Sequence, residues 1–374
     1  MSVESFISQR CHAVDASGIR KVFDLGAKLT DPINLSIGQP DFDVPDAAKA
    51  AAIEAIRSGR NGYTLTQGIP ELRARIEAAL IDEFGPLGDA RVLVTSGVSG
   101  GILLSLMALL NPGDEVVCLD PYFVIYKHAV RLLGGVPVFV DTYPDFRLHP
   151  DRIEAAITPR TKVLILASPS NPTGVVLSAE EMKQAADIAE RHNLILISDE
   201  IYCQLSYDGT APSGWREARH RTLLLRGFSK SAGMTGWRLG YAAGPRPLIE
   251  AMTKLQQYTF VCAPSMVQYA GLAAMDVDIT VHVDEFRARR KFVHGALRDY
   301  YEIVRPGGGF YFFPKVPDGY ASATAFVERA IENGLLIIPG NVFSERDTHF
   351  RISYAAEQSV LHRGCDVLRR LARP

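Results

Sequence analysis

The chain has 374 residues, of which 47% are hydrophobic and 22% are charged, a balance that excludes a largely disordered, collagen-like or coiled-coil protein. Lysine and arginine total 40 against 42 for aspartate and glutamate, so the net charge of −2 indicates neither a nucleic-acid partner nor an acidic membrane surface. At about 150 residues per domain, this length predicts two or three domains, and we expect the partner to be a small molecule.

From residue 90 onward, short apolar runs alternate with longer helical segments, which is typical of an α/β fold with a mostly parallel sheet. The runs are almost wholly apolar, so we expect strands that helices cover on both faces. Strands are predicted at residues 91–95, 115–119, 136–140, 162–167, 194–198 and 222–225. Helices are predicted at residues 98–110, 122–133, 150–157 and 178–192. The last of these helices opens with a capping box between Ser178 and Glu181.

The C-terminal part of the chain predicts a smaller α+β domain. Its strands are predicted at residues 310–313, 335–338 and 350–354, and its helices at residues 321–333 and 359–371. A polar N-terminal segment with a helical stretch around residues 19–29 is too short for a core of its own and is expected to pack on one of the domains. We therefore predict a large three-layer α/β/α domain over residues 31–279 and a small domain from residues 1–30 and 280–374.

Five cysteines are widely spaced, are odd in number and include no CxxC pair, which argues against a disulfide framework and a structural zinc site. The first residues lack the apolar core of a secretory signal, and apolar runs such as residues 102–110 are too short to span a bilayer. We therefore predict a soluble protein of the reducing cytoplasm, with no metal site and no membrane partner.

A glycine-rich loop over residues 227–240 follows an apolar strand and carries Lys230 and, eight positions later, Arg238. A lysine amine whose pKa is lowered by partial burial can attack a carbonyl to form a Schiff base, and a neighbouring arginine can bind a phosphate. An isolated pair of this kind would more often be two solvated charges. This segment, however, resembles the pyridoxal-phosphate lysine motif of the class I/II aminotransferases, which have fold type I and belong to the aspartate aminotransferase superfamily. The resemblance extends in the same order over nearly the whole chain.

Two motifs of the resemblance concern the substrate. The LSIGQPDF segment is similar to the family's LxxGxPDF, which implies that Gly38 lets the backbone lie close to the substrate. The FRISYA segment resembles the family's FRISFA, which implies that Arg351 binds the substrate α-carboxylate with a bidentate pair of hydrogen bonds. By themselves, a glycine-proline turn and a lone strand arginine would indicate only a loop and a surface charge.

The TSGVSGG turn lies between a predicted strand and a predicted helix, where free backbone N–H groups and the positive end of the helix dipole suit a phosphate. It matches neither GxGxxG nor the P-loop pattern, so a tight structural turn is the alternative. The resemblance assigns the phosphate cradle to Gly97, Val98 and Ser99. Many family members have a serine where this chain has Gly227, and we expect Ser229 or Ser99 to supply the missing hydroxyl.

Two aromatic residues gain a role only through the resemblance. The YTLTQGIPELR segment is similar to YxxxxGxxELR, which implies that Tyr63 reaches from one subunit to the cofactor phosphate of the other and therefore that the protein is a homodimer. The PYFVIY segment implies that Phe123 stacks on the cofactor ring. Its neighbours Tyr122 and Tyr126 are interpreted as core residues.

Polar residues follow two of the predicted strands, where ligands of open α/β sheets bind. The resemblance implies that Asn171 of SPSNPTG and Tyr202 of SDEIY contact the phenolic oxygen of pyridoxal 5'-phosphate, and that Asp199 partners its pyridine nitrogen. Asn171 is also expected to bind substrate. Asp199 and Glu200 make a poor metal pair, because adjacent strand residues point to opposite faces.

Together these motifs imply an aminotransferase that moves the amino group of an L-α-amino acid to a 2-oxo acid through a Schiff base of Lys230, in a ping-pong scheme. Ser99 stands where some relatives have a lysine associated with acidic substrates, which argues against a strong preference for dicarboxylates. A carbon–sulfur β-lyase of the same fold is the alternative, although two valines after Asn-Pro-Thr-Gly favour the transferase. A third possibility, a cofactor-binding sensor, would need an attached DNA-binding domain.

Overall fold

The computed structural model describes residues 2–16, 18, 22 and 31–373. The strands of this part are β1 (Ile33–Asn34), β2 (Ala90–Ser96), β3 (Glu115–Asp120), β4 (Val136–Asp141), β5 (Thr161–Ala167), β6 (Ile195–Asp199), β7 (Thr222–Gly227), β8 (Leu239–Pro245), β9 (Tyr311–Phe312), β10 (Leu335–Leu336), β11 (Ile338–Pro339) and β12 (Phe350–Ser353).

The α-helices of the described residues are α1 (Gln9–His12), α2 (Asp46–Arg57), α3 (Pro70–Phe84), α4 (Gly97–Leu109), α5 (Ile125–Leu132), α6 (Pro150–Ala156), α7 (Ala179–Arg191), α8 (Gly214–Glu217), α9 (Phe228–Ser231), α10 (Arg246–Gln257), α11 (Ser265–Ala274), α12 (Thr280–Leu297), α13 (Ala323–Glu332) and α14 (Gln358–Leu371). Short 3-10 helices cover Val3–Phe6 and Gly340–Val342. No helix in the described residues is both long enough and apolar enough to cross a membrane.

A seven-stranded sheet in the order β2-β8-β7-β6-β5-β3-β4 forms the centre of the fold. Strands β7, β6, β5, β3 and β4 are parallel to their neighbours in this order, whereas β8 runs antiparallel to both β7 and β2. The predicted α/β class with a mostly parallel sheet is therefore confirmed. Strand β8 was not predicted, because its residues, LGYAAGP, lie at the end of the glycine-rich loop and include no β-branched side chain.

Helices cover both faces of this sheet, and alternate residues of one strand show it. Leu93 of β2 packs in a buried cluster with α4, α5 and α10, whereas its neighbours Val92 and Val94 pack in a second cluster with α2, α3 and α11. Each of these side chains is less than 4% exposed, and full burial of a valine or leucine stabilises the fold by roughly 1.5–3 kcal/mol. The apolar strands are thus buried on both sides, as their composition predicted.

The C-terminal residues form two small sheets beside the large one. β11, β12 and β9 make an antiparallel sheet, and β1 pairs in parallel with β10. The single strand predicted at residues 335–338 is wrong, because Leu336 pairs with Asn34 whereas Ile338 pairs with Arg351. A short apolar run carries no information about which distant partner each of its residues will find.

The other predicted elements differ from the structure mainly at their ends. The predicted helix at residues 122–133 begins three residues later, at Ile125, because the preceding segment is bound to the C-terminal part through the N–H of Tyr122, which donates to the carbonyl of Phe343 at 2.7 Å. The capping box is confirmed, since the Ser178 hydroxyl accepts from the Glu181 N–H and the Glu181 carboxylate accepts from the Ser178 N–H. The helical stretch predicted at residues 19–29 lies, apart from Val22, outside the described residues.

Candidate active site

A cleft of about 340 Å³ opens at the carboxyl ends of β5 and β6, the edge at which α/β sheets bind ligands. Most of the residues predicted from the sequence line it: Gly38, Val98, Ser99, Phe123, Asn171, Asp199, Tyr202, Ser229, Lys230, Arg238 and Arg351. Gly97 lies directly beneath the Arg238 side chain. Tyr63 is the exception, because its side chain is 88% exposed and does not line the cleft of its own chain.

Lys230 lies in the short helix α9, which follows β7, and its amine reaches the base of the cleft. Nζ donates to the carbonyl of Gly38 at 2.6 Å. Burial, together with the positive charges of Arg351 and Arg238, lowers the pKa of this amine to about 7, and Asp199 opposes the change. Near neutral pH a large fraction of the amine is therefore unprotonated, which is the form that attacks a carbonyl carbon.

The turn before α4 and the loop before β8 meet at one end of the cleft. Gly97 has a φ of +67°, and a Cβ there would lie 2.7 Å from Nη2 of Arg238. On the other side, a Cβ on Gly240 would lie 2.8 Å from the backbone nitrogen of Val98. The two glycines thus let the Arg238 guanidinium and strand β8 lie close to the N-terminus of α4. The free N–H groups at a helix N-terminus bind an anion readily.

Arg238 itself has a φ of +58°, a left-handed conformation that costs a non-glycine residue about 1–2 kcal/mol. Strain of this kind is typical of functional sites. The absence of a side chain at Gly227 also has a local cause, since a Cβ there would lie 3.0 Å from the backbone of Gly240 on the neighbouring strand. Ser229 and Ser99, the two residues expected to supply a hydroxyl, both line the cleft.

Asp199 ends β6 and is 3% exposed. Its Oδ2 accepts a hydrogen bond from the Tyr126 hydroxyl at 2.7 Å, and its Oδ1 accepts one from the Ile201 N–H at 3.2 Å. Burial raises the pKa of this carboxyl to about 6, against the lowering effect of the Tyr126 hydrogen bond. Glu200, the first residue after β6, instead pairs with Arg226 at 2.8 Å, so the two adjacent carboxylates have different partners.

Arg351 comes from β12 and is 1% exposed. It donates to the side-chain oxygen of Asn171 at 3.0 Å and to the carbonyl of Ser36 at 2.8 Å. Its guanidinium carbon lies 4.6 Å from the ring centroids of both Tyr311 and Phe343. Its Nε has no hydrogen-bond partner among the described residues. A buried cation without an anionic partner is costly, so this guanidinium is suited to a ligand carboxylate.

Two tyrosines of the cleft were missed as functional residues by the sequence analysis. Tyr126 is buried, as the core interpretation held, but its hydroxyl contacts Asp199. The hydroxyl of Tyr311 lies 2.9 Å from that of Tyr202, and its ring lies under Arg351. The only available signal for Tyr126 was its position three residues after Phe123. Tyr311 carried none, because its partners in the cleft, Tyr202 and Arg351, lie far away in the chain.

An α/β fold with a reactive lysine, an anion-binding turn and a buried arginine around one cleft is the arrangement of an enzyme for small anionic molecules. Residues 30–368 match the family model described as "Aminotransferase class I and II". The chain is 38% identical to an aspartate aminotransferase of Pyrococcus abyssi, covering 98% of each protein. It is 36% identical to aromatic-amino-acid aminotransferase 2 of Thermococcus litoralis, covering 96% of each.

Among solved structures, an aspartate aminotransferase from Thermus thermophilus with maleate matches with a TM-score of 0.93 and 35% identity, over 98% of this chain and 99% of that one. The chain belongs to the class I and II aminotransferases. It is a transferase of nitrogenous groups, and these relatives favour amino-group transfer over the elimination reaction of a carbon–sulfur lyase.

Proposed function

We propose that this aminotransferase binds pyridoxal 5'-phosphate through Lys230 and uses the same lysine to move the amino group of an L-α-amino acid to a 2-oxo acid. The observation that carries the proposal is the pairing, in one cleft, of an amine whose pKa is lowered to about 7 with a buried guanidinium that has no anionic partner among the described residues. The amine suits a carbonyl carbon and the guanidinium suits a carboxylate, and an α-amino or 2-oxo acid bound to a carbonyl cofactor presents both.

The cleft fits this cofactor. The anion-binding end requires glycine at positions 97 and 240, because a Cβ at either would collide with Arg238 or with the turn itself. A phosphate there would be bound by backbone N–H groups at the start of α4, by hydroxyl groups and by the Arg238 guanidinium. The residues that would hold the whole cofactor are Gly97, Val98, Ser99, Phe123, Asn171, Asp199, Tyr202, Ser229, Lys230 and Arg238.

The bound cofactor supplies an electron-withdrawing ring conjugated to the substrate nitrogen, which stabilises negative charge at the substrate α-carbon. Asp199, ionised above its pKa of about 6, would partner the ring nitrogen and favour its protonated form. Arg351 holds the substrate α-carboxylate, with Gly38 and Asn171 beside it. Once displaced by the substrate amine, the Lys230 amine would be the general base that takes and holds the proton of the substrate α-carbon.

We also propose a homodimer in which Tyr63 reaches the phosphate end of the neighbouring cleft. An exposed apolar patch (Tyr63, Leu65, Tyr258 and Phe260) supports it, because these side chains are 88%, 57%, 85% and 39% exposed. The patch comes from two segments, residues 63–65 and residues 258–260. A hydrogen bond joins the chain next to them, since the side-chain amide of Gln256 donates to the carbonyl of Thr66 at 2.7 Å. Exposed apolar patches on a folded protein are typical of interfaces. Light scattering at micromolar concentration tests the dimer, and a monomeric mass would exclude it.

The division into a large domain over residues 31–279 and a small domain from residues 1–30 and 280–374 remains our proposal, with one refinement. Ile33 and Leu35 pack in the same cluster as α12, α13 and α14. We therefore propose that β1 belongs to the small domain. A cytoplasmic location is supported by the five cysteines, all of which are free thiols.

The purified protein should be mixed with each of the twenty amino acids in turn, without an acceptor, while the absorption spectrum of the bound cofactor is recorded. Loss of the band of the lysine-bound cofactor with release of one equivalent of 2-oxo acid is the expected result, and it identifies the donor. Lys230→Ala is the control, because it removes the attachment point. Continuous release of pyruvate and ammonia would instead establish a lyase.

A further inference from the structure

Tyr126 lies in the first turn of α5, and its side chain is 3% exposed. Its hydroxyl donates to Oδ2 of Asp199 at 2.7 Å, while the Ile201 N–H donates to Oδ1. Each oxygen of the Asp199 carboxylate therefore has one donor, and Tyr126 is the side-chain donor that the described residues supply. These two hydrogen bonds restrict rotation of the carboxylate about its last torsion angle, which is otherwise broad.

The same tyrosine also contacts the aromatic wall of the cleft. The rings of Tyr126 and Phe123 meet edge to face, with centroids 6.0 Å apart and an interplanar angle of 89°. This geometry is a favourable arrangement for an aromatic pair. Tyr126 thus contacts both the Asp199 carboxylate at the end of β6 and the ring of Phe123 just before α5, two groups from distant segments of the chain.

We propose that Tyr126 is a positioning residue, which holds the Asp199 carboxylate and the Phe123 ring in the relative orientation that a flat aromatic cofactor requires. The inference rests on the proposed function, in which Asp199 faces the ring nitrogen and Phe123 stacks on the ring face. Tyr126 touches neither the substrate nor the reacting atoms in this scheme and acts through the two residues that it contacts.

Packing of the Tyr126 ring does not by itself require a hydroxyl group. The Tyr126 ring belongs to an apolar cluster that includes Ile102, Cys118 and Ala129, in which a phenylalanine would fill the same space. A buried hydroxyl needs a hydrogen-bond partner, and a donor to a buried carboxylate favours its ionised form. Loss of the hydroxyl therefore makes Asp199 easier to protonate, and a protonated Asp199 no longer attracts a protonated ring nitrogen.

The test compares Tyr126→Phe with the matched control Tyr122→Phe. Tyr122 belongs to the same segment and is equally buried, but its hydroxyl donates to Glu345 at 2.6 Å and it does not line the cleft. For each purified holoenzyme, cofactor release after dilution and the pH dependence of the cofactor absorption are measured. We expect Tyr126→Phe to accelerate release about tenfold or more, since a hydrogen bond to a charged group is lost. We also expect its acid transition to move to higher pH, with both properties unchanged in Tyr122→Phe.

A double-mutant cycle separates positioning from a general structural effect. If Tyr126 acts through Asp199, Tyr126→Phe has little further effect on release in an Asp199→Asn background. An equal acceleration in both backgrounds would overturn the inference. Should the phenylalanine variant fail to fold, 3-fluorotyrosine incorporated at position 126 keeps the shape and donates more strongly, so the acid transition is expected to move to lower pH, and an unmoved transition would also overturn the inference.

The two proposals fail in different ways. A wild-type protein that binds no pyridoxal phosphate would remove the proposed function, and this inference with it. A wild-type protein that binds the cofactor, together with a Tyr126→Phe variant that behaves like Tyr122→Phe, would remove only the role assigned to Tyr126.

Discussion

Two arginines at opposite ends of the cleft differ in how the fold holds them. Arg351 is 1% exposed, lies between two aromatic rings and donates to Asn171 and to Ser36, which are 180 and 315 positions away in the chain. Arg238 is exposed at the cleft mouth, and its guanidinium donates to the carbonyl of Thr235, three positions away. Arg351 is thus held by hydrogen bonds to distant segments, whereas the hydrogen bond of Arg238 lies within its own loop.

This difference has an electrostatic consequence. A charge shielded from water acts on its neighbours more strongly than an exposed one, which solvent and salt screen. Accordingly, Arg351 lowers the pKa of the Lys230 amine more than Arg238 does. The buried arginine therefore serves two purposes in our proposal, since it binds the substrate carboxylate and keeps the lysine amine reactive. In the same proposal, the exposed arginine acts mainly on the cofactor phosphate.

Replacement of the lysine between the two arginines has the largest expected effect. Lys230→Ala removes both the attachment point of the cofactor and the general base, and general bases alone contribute roughly 10²–10⁴-fold to rates. We expect turnover to fall by at least this factor and the absorption band of the lysine-bound cofactor to disappear. A 2-oxo acid assay measures turnover, and stopped-flow absorbance follows the band of the lysine-bound cofactor. Turnover within tenfold of wild type would refute the assignment.

Arg351→Ala is expected to have the next largest effect, and one confined to the substrate. Truncation of one partner of a buried charge pair costs about 2–5 kcal/mol, equivalent to roughly 30- to 5,000-fold in kcat/KM. Cofactor retention on gel filtration should not change. Arg351→Lys keeps the positive charge but loses the bidentate geometry, so its kcat/KM should lie between those of the wild type and Arg351→Ala. An unaltered kcat/KM for every amino acid tested would exclude the carboxylate role.

Arg238→Ala should show the converse pattern with a smaller effect. Its loss removes a charge-assisted contact to the phosphate, so we expect the dissociation constant of the cofactor to rise by about tenfold. The KM for the amino acid, measured at saturating cofactor, should stay within twofold. Arg363→Ala, an exposed arginine on α14 that pairs with Asp31, is the control. A change in KM as large as the change in cofactor affinity would contradict the separation of the two ends.

A shift in the pH dependence of cofactor attachment is the smallest expected effect. It tests most directly how strongly each of the two arginines lowers the pKa of the Lys230 amine. Because the unprotonated amine reacts, a pKa of about 7 predicts that attachment to the cofactor-free protein accelerates roughly tenfold between pH 6 and pH 8. Removal of a positive neighbour raises the pKa of the amine, so the midpoint should move to higher pH in Arg351→Ala, and by less in Arg238→Ala. Identical midpoints in the three proteins would contradict the unequal influence of the two arginines.

The end of the cleft around Arg238 was the easier one to predict. The turn at residues 95–101 carries its glycines within a few positions, the loop at residues 227–240 carries both Lys230 and Arg238, and a strand followed by a helix N-terminus suffices to propose an anion site. The end around Arg351 was predicted only through the resemblance of single motifs. The sandwich of Arg351 between Tyr311 and Phe343 had no signal in the sequence, because aromatic residues in apolar segments are most often core.

The sequence by itself determined the α/β class, most of the strands and helices between residues 90 and 225, the capping box at Ser178 and the glycine-rich turn between a strand and a helix at residues 95–101. Each of these depends on hydrophobic patterns or hydrogen bonds within a few positions, which short segments encode. Only the tertiary structure decided the antiparallel strand β8, the division of residues 335–338 between two sheets, and the contact of Tyr126 with Asp199, 73 positions away. Those features depend on which distant segments meet, and packing of the whole chain selects among partners that local patterns leave equivalent.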